Sequence, residues 1–134
     1  MEIRKAAARD IAWLIEHDAH AGAWEWESIV GQNRAYVARA DGETAGWLRY
    51  GLFWDEIPFM NMLVVLEAYR GRGYGRGLVE HWEDEMRRLG HKRVLTSTVS
   101  KEYSQHFYAR LGYEAVGGFL LPGEPYEIIL SREI

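Results

Sequence analysis

The most informative part of the sequence is one glycine-rich stretch, Arg70-Gly71-Arg72-Gly73-Tyr74-Gly75-Arg76-Gly77. Glycine lacks a Cβ atom, so its backbone can approach a ligand closely and can adopt angles that other residues avoid. The arginines add positive charge that suits a phosphate or pyrophosphate. At the start of a helix, such a turn also offers unpaired N–H groups and the positive end of the helix dipole. The stretch predicts an anion site; a purely structural turn is the alternative.

The residues on either side of the turn predict a strand before it and a helix after it. Residues 59–66 form an apolar run that predicts a strand buried on both faces. Gly90 stands where a left-handed residue is expected to end the helix. Apolar side chains recur at the spacing of one helix face, at Tyr74, Leu78, Trp82, Met86 and Leu89. Acid-before-base pairs are expected on the opposite face, at Glu83–Arg87 and Asp84–Arg88.

The rest of the chain alternates between strand and helix patterns. A first helix follows from Ile11, Leu14 and Ile15, with Asp10 as its cap. Asp41-Gly42 is a strong hairpin signal, because both central turn residues must accept positive φ. The remaining predicted elements are strands at 2–6, 34–40, 43–54, 93–99, 113–119 and 126–130, a helix or turn-rich loop at 23–32, a turn at 55–58, and a helix at 103–111 between a Ser100 cap and Gly112. This order predicts an α/β or α+β domain with a mixed sheet.

Composition limits the classes of function that the chain can have. Its 134 residues, 48% of them hydrophobic and 27% charged, predict a single folded domain spanning 1–134. The absence of cysteine excludes disulfides, zinc-thiolate sites and thiol nucleophiles. The five histidines include no HxH or HExxH pair, so a metal site has little support. A net charge of −4 argues against a general affinity for nucleic acid or anionic membrane. No apolar run approaches the about 20 residues of a membrane span, so a soluble, cytoplasmic protein is expected.

The spacing of the glycines excludes two common phosphate-binding motifs and resembles a third. A dinucleotide fingerprint would need glycine at residue 76, which is arginine, and no GxxxxGK[ST] occurs. Residues 70–75 resemble the acetyl-CoA signature Q/R-x-x-G-x-G/A of the GCN5-related N-acetyltransferases, the GNAT family. A second family marker, an aromatic-Tyr followed by Leu-Gly-aromatic, reads Phe107-Tyr108-Ala109-Arg110-Leu111-Gly112-Tyr113. Residues 63–69 look like the family's fourth strand, although Glu67 stands where many members have proline.

This resemblance implies a fold, a co-substrate and a set of site residues. The implied fold is a single-domain GNAT-like one, with a mixed, mostly antiparallel twisted sheet flanked by about four helices. Acetyl-CoA is the implied co-substrate, without a metal, and an amine attacks its thioester directly. The pantetheine arm pairs with the backbone of Leu63, Val64 and Val65. The pyrophosphate binds the amides of Arg70, Gly71, Arg72, Gly73, Tyr74 and Gly75.

The resemblance also implies catalytic groups on the helix that contains the second marker. Tyr108 is implied to protonate the leaving thiolate; packing in the core is the alternative for this side chain. Ser104, one turn earlier, is implied to face the cofactor. Lys101 stands where many members have asparagine, so the resemblance assigns it no contact.

The proton-accepting group is left open, because the expected fourth strand reads Phe59-Met60-Asn61-Met62 and has no acid where some members use glutamate. Glu56, Asp55 and His20 are the candidates, with Glu56 carried as the catalytic assignment. Solvated surface positions are the alternative for all three.

Tryptophans suggest how the acceptor is bound. The candidates are Trp24, Trp26 and Trp54, each of which has a carboxylate residue beside it in sequence. An aromatic face next to a carboxylate suits an ammonium group. The hypothesis is therefore a small-molecule or peptide amine as partner, with neither nucleic acid nor membrane. The alternative is that the tryptophans fill the core or a dimer interface; homodimers are frequent in the family, so a homodimer is a possible state.

Two other classes of function compete with the enzyme. A CoA-binding regulatory or interaction module would bind the cofactor without catalysis. An RGG-like RNA-binding segment would use the arginines and glycines of 70–77, but such segments are usually disordered and polar. Here the run is flanked by apolar residues of a predicted strand and helix, and the protein is acidic.

Overall fold

The computed structural model describes residues 1–100 and 103–134, and it has an α+β architecture. The described helices are α1 (Ile11–His17), α2 (Ala23–Gly31), α3 (Tyr74–Arg88) and α4 (Ser104–Arg110). The strands are β1 (Glu2–Lys5), β2 (Ala35–Ala40), β3 (Glu43–Phe53), β4 (Ile57–Val65), β5 (Arg93–Val99), β6 (Glu114–Phe119) and β7 (Glu127–Glu133). Short 3₁₀ turns at Ala8–Asp10 and Glu67–Tyr69 precede α1 and follow β4.

The strands form one sheet in the order β1-β2-β3-β4-β5-β7-β6. The pairing is parallel between β4 and β5 and antiparallel for β1–β2, β2–β3, β5–β7 and β6–β7. The predicted mixed, mostly antiparallel sheet is therefore confirmed. Among the described residues, every helix is too short or too polar to span a lipid bilayer.

Contacts within the chain group the residues into two compact units. Unit 1 contains Met1–Tyr50 and Met62–Trp82, and unit 2 contains Gly51–Asn61 and Glu83–Ile134. The chain passes from one unit to the other inside β3, β4 and α3. The expectation of a single domain over 1–134 stays a prediction.

The core of unit 1 is aromatic as well as aliphatic. Leu14, Trp26 and Val37 are fully buried there, and Trp47 is 2% exposed. The Trp13 and Trp47 rings meet at nearly a right angle, with ring centroids 5.7 Å apart. The interpretation of tryptophans as core residues therefore holds for Trp26 and Trp47.

An ion pair in unit 1 anchors the loop between α1 and α2. The Asp18 carboxylate, 1% exposed, accepts hydrogen bonds from Arg49 Nε at 2.8 Å and from the amides of His20 at 2.9 Å and Ala21 at 3.2 Å. Burial acts to raise the pKa of Asp18, but these hydrogen bonds outweigh it and hold the pKa below its usual value. The loop is thus fixed to the centre of β3 by a charged group.

Asp10 occupies the predicted N-cap position of α1, but its side chain makes no capping hydrogen bond to that helix. Its carboxylate accepts a hydrogen bond from the Ala7 amide at 2.8 Å and pairs with Arg4. These partners hold the Asp10 carboxylate at the start of the preceding 3₁₀ turn.

Gly46 on β3 lies very close to the backbone of β4 in unit 1. A Cβ atom added there would overlap the Val64 carbonyl oxygen and lie 3.2 Å from Val65 Cα, and both of these atoms are backbone. We therefore expect Gly46→Ala to lower the free energy of unfolding by about 1–3 kcal/mol, as overpacking does. Urea unfolding checks this, with Gly31→Ala in α2 as the control, because no atom lies within 4 Å of a Cβ there. Equal midpoints for Gly46→Ala and the wild type would contradict the close approach.

In unit 2 the helix ends behave as predicted, but one helix start does not. Gly90 and Gly112 have φ of +95° and +97° and end α3 and α4. The predicted Ser100 cap is wrong, because α4 begins at Ser104 with Tyr103 at the N-cap position. The Ser100 amide instead donates to the Tyr126 carbonyl at 2.9 Å, just beyond the paired residues of β5 and β7.

The burial of β4 also differs from the prediction. Pro58 and Met60 are buried, but Asn61 is exposed and residues 62–65 are half-buried. The prediction of a strand buried on both faces came from its apolar run, and such a run does not show which face of the strand packs against other parts of the chain. These half-buried residues include Leu63, Val64 and Val65, which the family resemblance assigns to the pantetheine arm.

Candidate functional site

The end of β4 in unit 1 presents backbone that has a partner on one side. On the β3 side, the Leu66 amide donates to the Ala45 carbonyl at 2.8 Å. On the other side, the β4–β5 register consists of Phe59–Leu95 and Met60–Thr96. Within residues 1–100 and 103–134, no further ladder pair follows on that side. Leu63, Val64 and Val65 can therefore pair with an extended ligand, as an added strand would.

The glycine-rich turn follows this segment and leads into α3. Gly71 and Gly73 have φ of +75° and +86°, which favour glycine, and no atom lies within 4 Å of a Cβ at either position. The Gly77 amide donates to the Gly73 carbonyl at 2.9 Å and closes the first helical turn. The preceding amides of that turn have no partner within the helix, and the dipole is positive there. The turn therefore has open space, free amides and a favourable field for an anion.

The three arginines of the turn have different roles. Arg70 folds back so that its Nε donates to the Val65 carbonyl at 3.1 Å, which joins the turn to the end of β4. Arg76 pairs with Glu80 on the exposed side of α3 at 2.8 Å. Arg72 is exposed and makes no hydrogen bond or ion pair to the residues that the structure describes. Arg72 is thus the arginine best able to meet a phosphate without first breaking a contact.

Tyr108 lies on α4 in unit 2 and is 7% exposed. Its carbonyl accepts the amides of Leu111 and Tyr113, both at 3.0 Å. The Tyr108 and Tyr113 rings meet edge to face, with centroids 5.6 Å apart. The Ser104 hydroxyl is hydrogen bonded to that of Thr98 on β5. Lys101 lies outside the described residues.

The remaining candidates of unit 2 lie in the turn between β3 and β4. Trp54 and Asp55 have φ of +57° and +61°, and the Glu56 amide donates to the Phe53 carbonyl at 3.1 Å. This is a two-residue hairpin turn centred on residues 54 and 55. The strand β3 therefore ends at Phe53, and the turn begins before residue 55, where it was predicted to start. The side chains of Trp54, Asp55 and Glu56 are exposed, and the Trp54 indole stacks on Phe53 at 4.6 Å.

The candidates of unit 1 for substrate and proton binding differ in exposure. Trp24 on α2 is 83% exposed, next to the exposed carboxylate Glu25. Trp26 is fully buried in the core, so its side chain has no surface to offer a substrate. His20 is exposed in the loop that Asp18 anchors.

Unit 1 thus brings together the strand segment and the turn that were predicted to bind the co-substrate. Unit 2 holds Tyr108 and Ser104 on one helix and Trp54 and Glu56 in one turn. The sequence did not indicate a group of three residues in unit 2: Glu83 on α3 accepts hydrogen bonds from Tyr113, which follows α4, and from Arg132 on β7. Of these three, Tyr113 contacts Tyr108. Of the three, Tyr113 could have been identified from the sequence, because it is the last aromatic residue of the second family marker.

Comparison with known proteins agrees with this geometry. Residues 2–113 match the model of the acetyltransferase (GNAT) family. No curated protein matches the sequence significantly. The identity of this chain to each solved structure given next is below 25%, so those likenesses show the fold alone.

Three solved structures illustrate the similarity. A GNAT family acetyltransferase from Bacillus cereus ATCC 10987 is 22% identical, with a TM-score of 0.78 over 98% of this chain and 96% of that one. Ard1 from Thermoplasma volcanium is 13% identical, with a TM-score of 0.86 over 99% and 97%. N-acetylglutamate synthase from Neisseria gonorrhoeae, complexed with coenzyme A and N-acetyl-glutamate, is 20% identical, with a TM-score of 0.79 over 98% of this chain and 34% of that one. The chain belongs to the GNAT family of acetyltransferases.

Proposed function

We propose that this acetyltransferase moves the acetyl group of acetyl-CoA to a primary amine of a small molecule or peptide. The observation that carries the proposal is in unit 1. There the glycine-rich turn at the start of α3 follows, after one short 3₁₀ turn, the segment Leu63–Val65, which has no ladder pair with β5 among the described residues. Structures of similar fold that were solved with CoA include the N-acetylglutamate synthase and the NatC complex bound to Gag peptide. Their ligands support acetyl-CoA as the co-substrate of this chain.

The residues of unit 1 fit the two polar parts of acetyl-CoA. The pyrophosphate would lie against the amides of residues 70–75, with Arg72 as its cation. The pantetheine amides would pair with the backbone of Leu63, Val64 and Val65. A strand amide aimed at the acetyl oxygen would stabilise the negative charge that develops there during transfer.

In the proposed reaction, the amine nitrogen attacks the thioester carbonyl carbon and the carbon–sulfur bond breaks. The Tyr108 hydroxyl donates its proton to the departing thiolate. The attacking amine loses a proton to a base, which we assign to the exposed carboxylate of Glu56. Asp55 and His20 are the other candidates for that role.

We further propose that the acceptor binds as an ammonium ion. It loses one proton to solvent before its nitrogen attacks, and the proton that Glu56 accepts is lost as the amide forms. Exposed indoles bind ammonium groups by cation–π attraction, and a nearby carboxylate adds to it. Trp24 beside Glu25 and Trp54 beside Asp55 are exposed pairs of this kind. Trp26 is left out because it is buried.

Calorimetry with acetyl-CoA tests the proposed site. Because an L-residue at φ +86° is strained, Gly73→Ala is expected to rearrange the turn and weaken acetyl-CoA binding by about tenfold or more. Gly123→Ala is the matched control: it has φ +81°, open space around its Cβ position and a place in the β6–β7 loop. No binding by folded wild-type protein, or equal losses in both variants, would overturn the site.

Activity assays on a panel of amines then test the reaction. Transfer to cationic amines, with little to neutral acceptors of similar size, is the expected result. Transfer only to neutral or anionic acceptors would contradict the cationic acceptor. Acetyl-CoA binding without transfer to any amine would favour a CoA-binding module instead of an enzyme.

A further inference from the structure

We propose that Glu83, Tyr113 and Arg132 form a positioning network for Tyr108, which holds that side chain in the orientation that proton donation requires. The proposal rests on the proposed role of Tyr108 as the general acid. None of the three residues is proposed to touch the substrate. All four residues belong to unit 2.

The network is built around a buried carboxylate. Glu83 is 1% exposed, although it lies on α3 among charged residues that were predicted to face solvent. Tyr113 Oη donates to Glu83 Oε2 at 2.7 Å, and Arg132 Nη1 donates to Glu83 Oε1 at 2.6 Å. Each carboxylate oxygen therefore has its own donor, as a buried charge requires. The predicted Glu83–Arg87 and Asp84–Arg88 pairs are wrong, since Arg87 pairs with Asp84 and Arg88 with Glu85.

Tyr113 connects this carboxylate to Tyr108 in two ways. Its amide donates to the Tyr108 carbonyl, and the Gly112 amide donates to the Ala109 carbonyl, both at 3.0 Å. With Gly112 at positive φ, this is the Schellman arrangement that ends a helix, and it commonly includes a contact between the side chains at the positions of Tyr108 and Tyr113. The edge-to-face contact between their rings supplies that contact. Fixing the Tyr113 hydroxyl to Glu83 therefore fixes the ring that packs on Tyr108.

Gly112 also makes room for the cation of the network. A Cβ atom at this position would lie 3.2 Å from Arg132 Nε and 3.7 Å from its Cδ. The absence of that atom lets the Arg132 side chain cross the end of α4 on its way to Glu83. The glycine of the second family marker thus serves both the helix end and the network.

The Tyr113 hydroxyl remains a hydrogen-bond donor over the pH range of an assay. Burial, followed by the charge of Glu83 and its hydrogen bond, raises the pKa of the Tyr113 phenol far above its usual range. Tyr113 therefore stays protonated and continues to donate. A buried ion pair adds little net stability compared with apolar packing. We therefore attribute the Glu83–Arg132 pair to the orientation of Tyr113 and, through it, of Tyr108.

A double-mutant cycle on turnover tests the proposal. Tyr113→Phe removes the hydroxyl but keeps the ring and the amide, and it is expected to lower kcat by about tenfold with little change in KM for acetyl-CoA. In the Tyr108→Phe background, the same change is expected to leave kcat nearly unaffected. Equal losses in both backgrounds would show a general structural effect and overturn the positioning role. An unchanged kcat in the single variant would overturn it too.

A second variant keeps the test decisive if Tyr113→Phe folds poorly. Arg132→Met removes the partly exposed end of the network, and it is expected to lower kcat in the wild-type background only. Arg93→Met is the control, because Arg93 forms an exposed pair with Glu133 between β5 and β7 at 2.7 Å. Equal effects of the two methionine variants on kcat would overturn the proposal. If Tyr108→Phe itself retains full turnover, the acid assignment fails, a result distinct from equal losses in both backgrounds.

Discussion

Replacing Tyr108 by phenylalanine is expected to lower kcat by about a hundredfold or more, the usual scale of general acid catalysis. The variant keeps the ring, its contact with Tyr113 and the backbone bonds at the end of α4, but it has no proton to give to the thiolate. Binding of acetyl-CoA, measured by calorimetry, is expected to change by less than about threefold, since the turn and the β4 backbone in unit 1 are untouched.

Tyr103→Phe provides the control for this prediction. Tyr103 occupies the N-cap position of the same helix and is 77% exposed, so the loss of its hydroxyl is expected to leave kcat unchanged. Single-turnover measurements isolate the chemical step from product release. If Tyr108→Phe retained the wild-type rate in that step, the acid would have to be another group.

Replacing Asp18 by alanine is expected to lower the free energy of unfolding by about 3–5 kcal/mol, because it leaves Arg49 without its carboxylate. The Arg49 side chain is 11% exposed, so water can restore little of the lost interaction. Urea unfolding measures the loss. Asp84→Ala is the matched control, because its pair with Arg87 is exposed, and it should cost no more than about 1 kcal/mol.

The stability that the Asp18–Arg49 pair contributes depends on pH. The pKa of Asp18 is lower in the folded chain than its ordinary 3.8, so the folded state binds this proton less readily than the unfolded state does. The contribution is therefore complete above about pH 3.8 and is lost as the pH falls through the folded pKa. The stability difference between wild type and Asp18→Ala should shrink in acid. A constant difference down to pH 2, or one that grows, would contradict the assignment.

Local rules predicted the features that neighbouring residues decide. Asp41-Gly42 forms the expected hairpin turn with φ of +51° and +80°, and Gly90 and Gly112 end their helices at positive φ. In each case the backbone geometry follows from which residue tolerates a left-handed conformation. The glycine turn at the start of α3 was predicted for the same reason.

Features that depend on distant partners were not predictable in this way. Glu83 looked like one half of a surface pair, but its partners Tyr113 and Arg132 lie 30 and 49 residues further along the chain. Trp24 and Trp26 looked equivalent, yet residues two apart on a helix point about 200° apart, so one is exposed and the other is in the core. Sequence proximity alone could not assign either residue to the substrate.

The passage of the chain between the two units has a consequence for protein engineering. The crossings at residues 50/51, 61/62 and 82/83 fall inside β3, β4 and α3. A fragment or chimaera joined at these points would sever a ladder or a helical turn. Grafts intended to change the acceptor are better joined at an irregular segment such as 120–126, where the cut leaves the neighbouring strands whole.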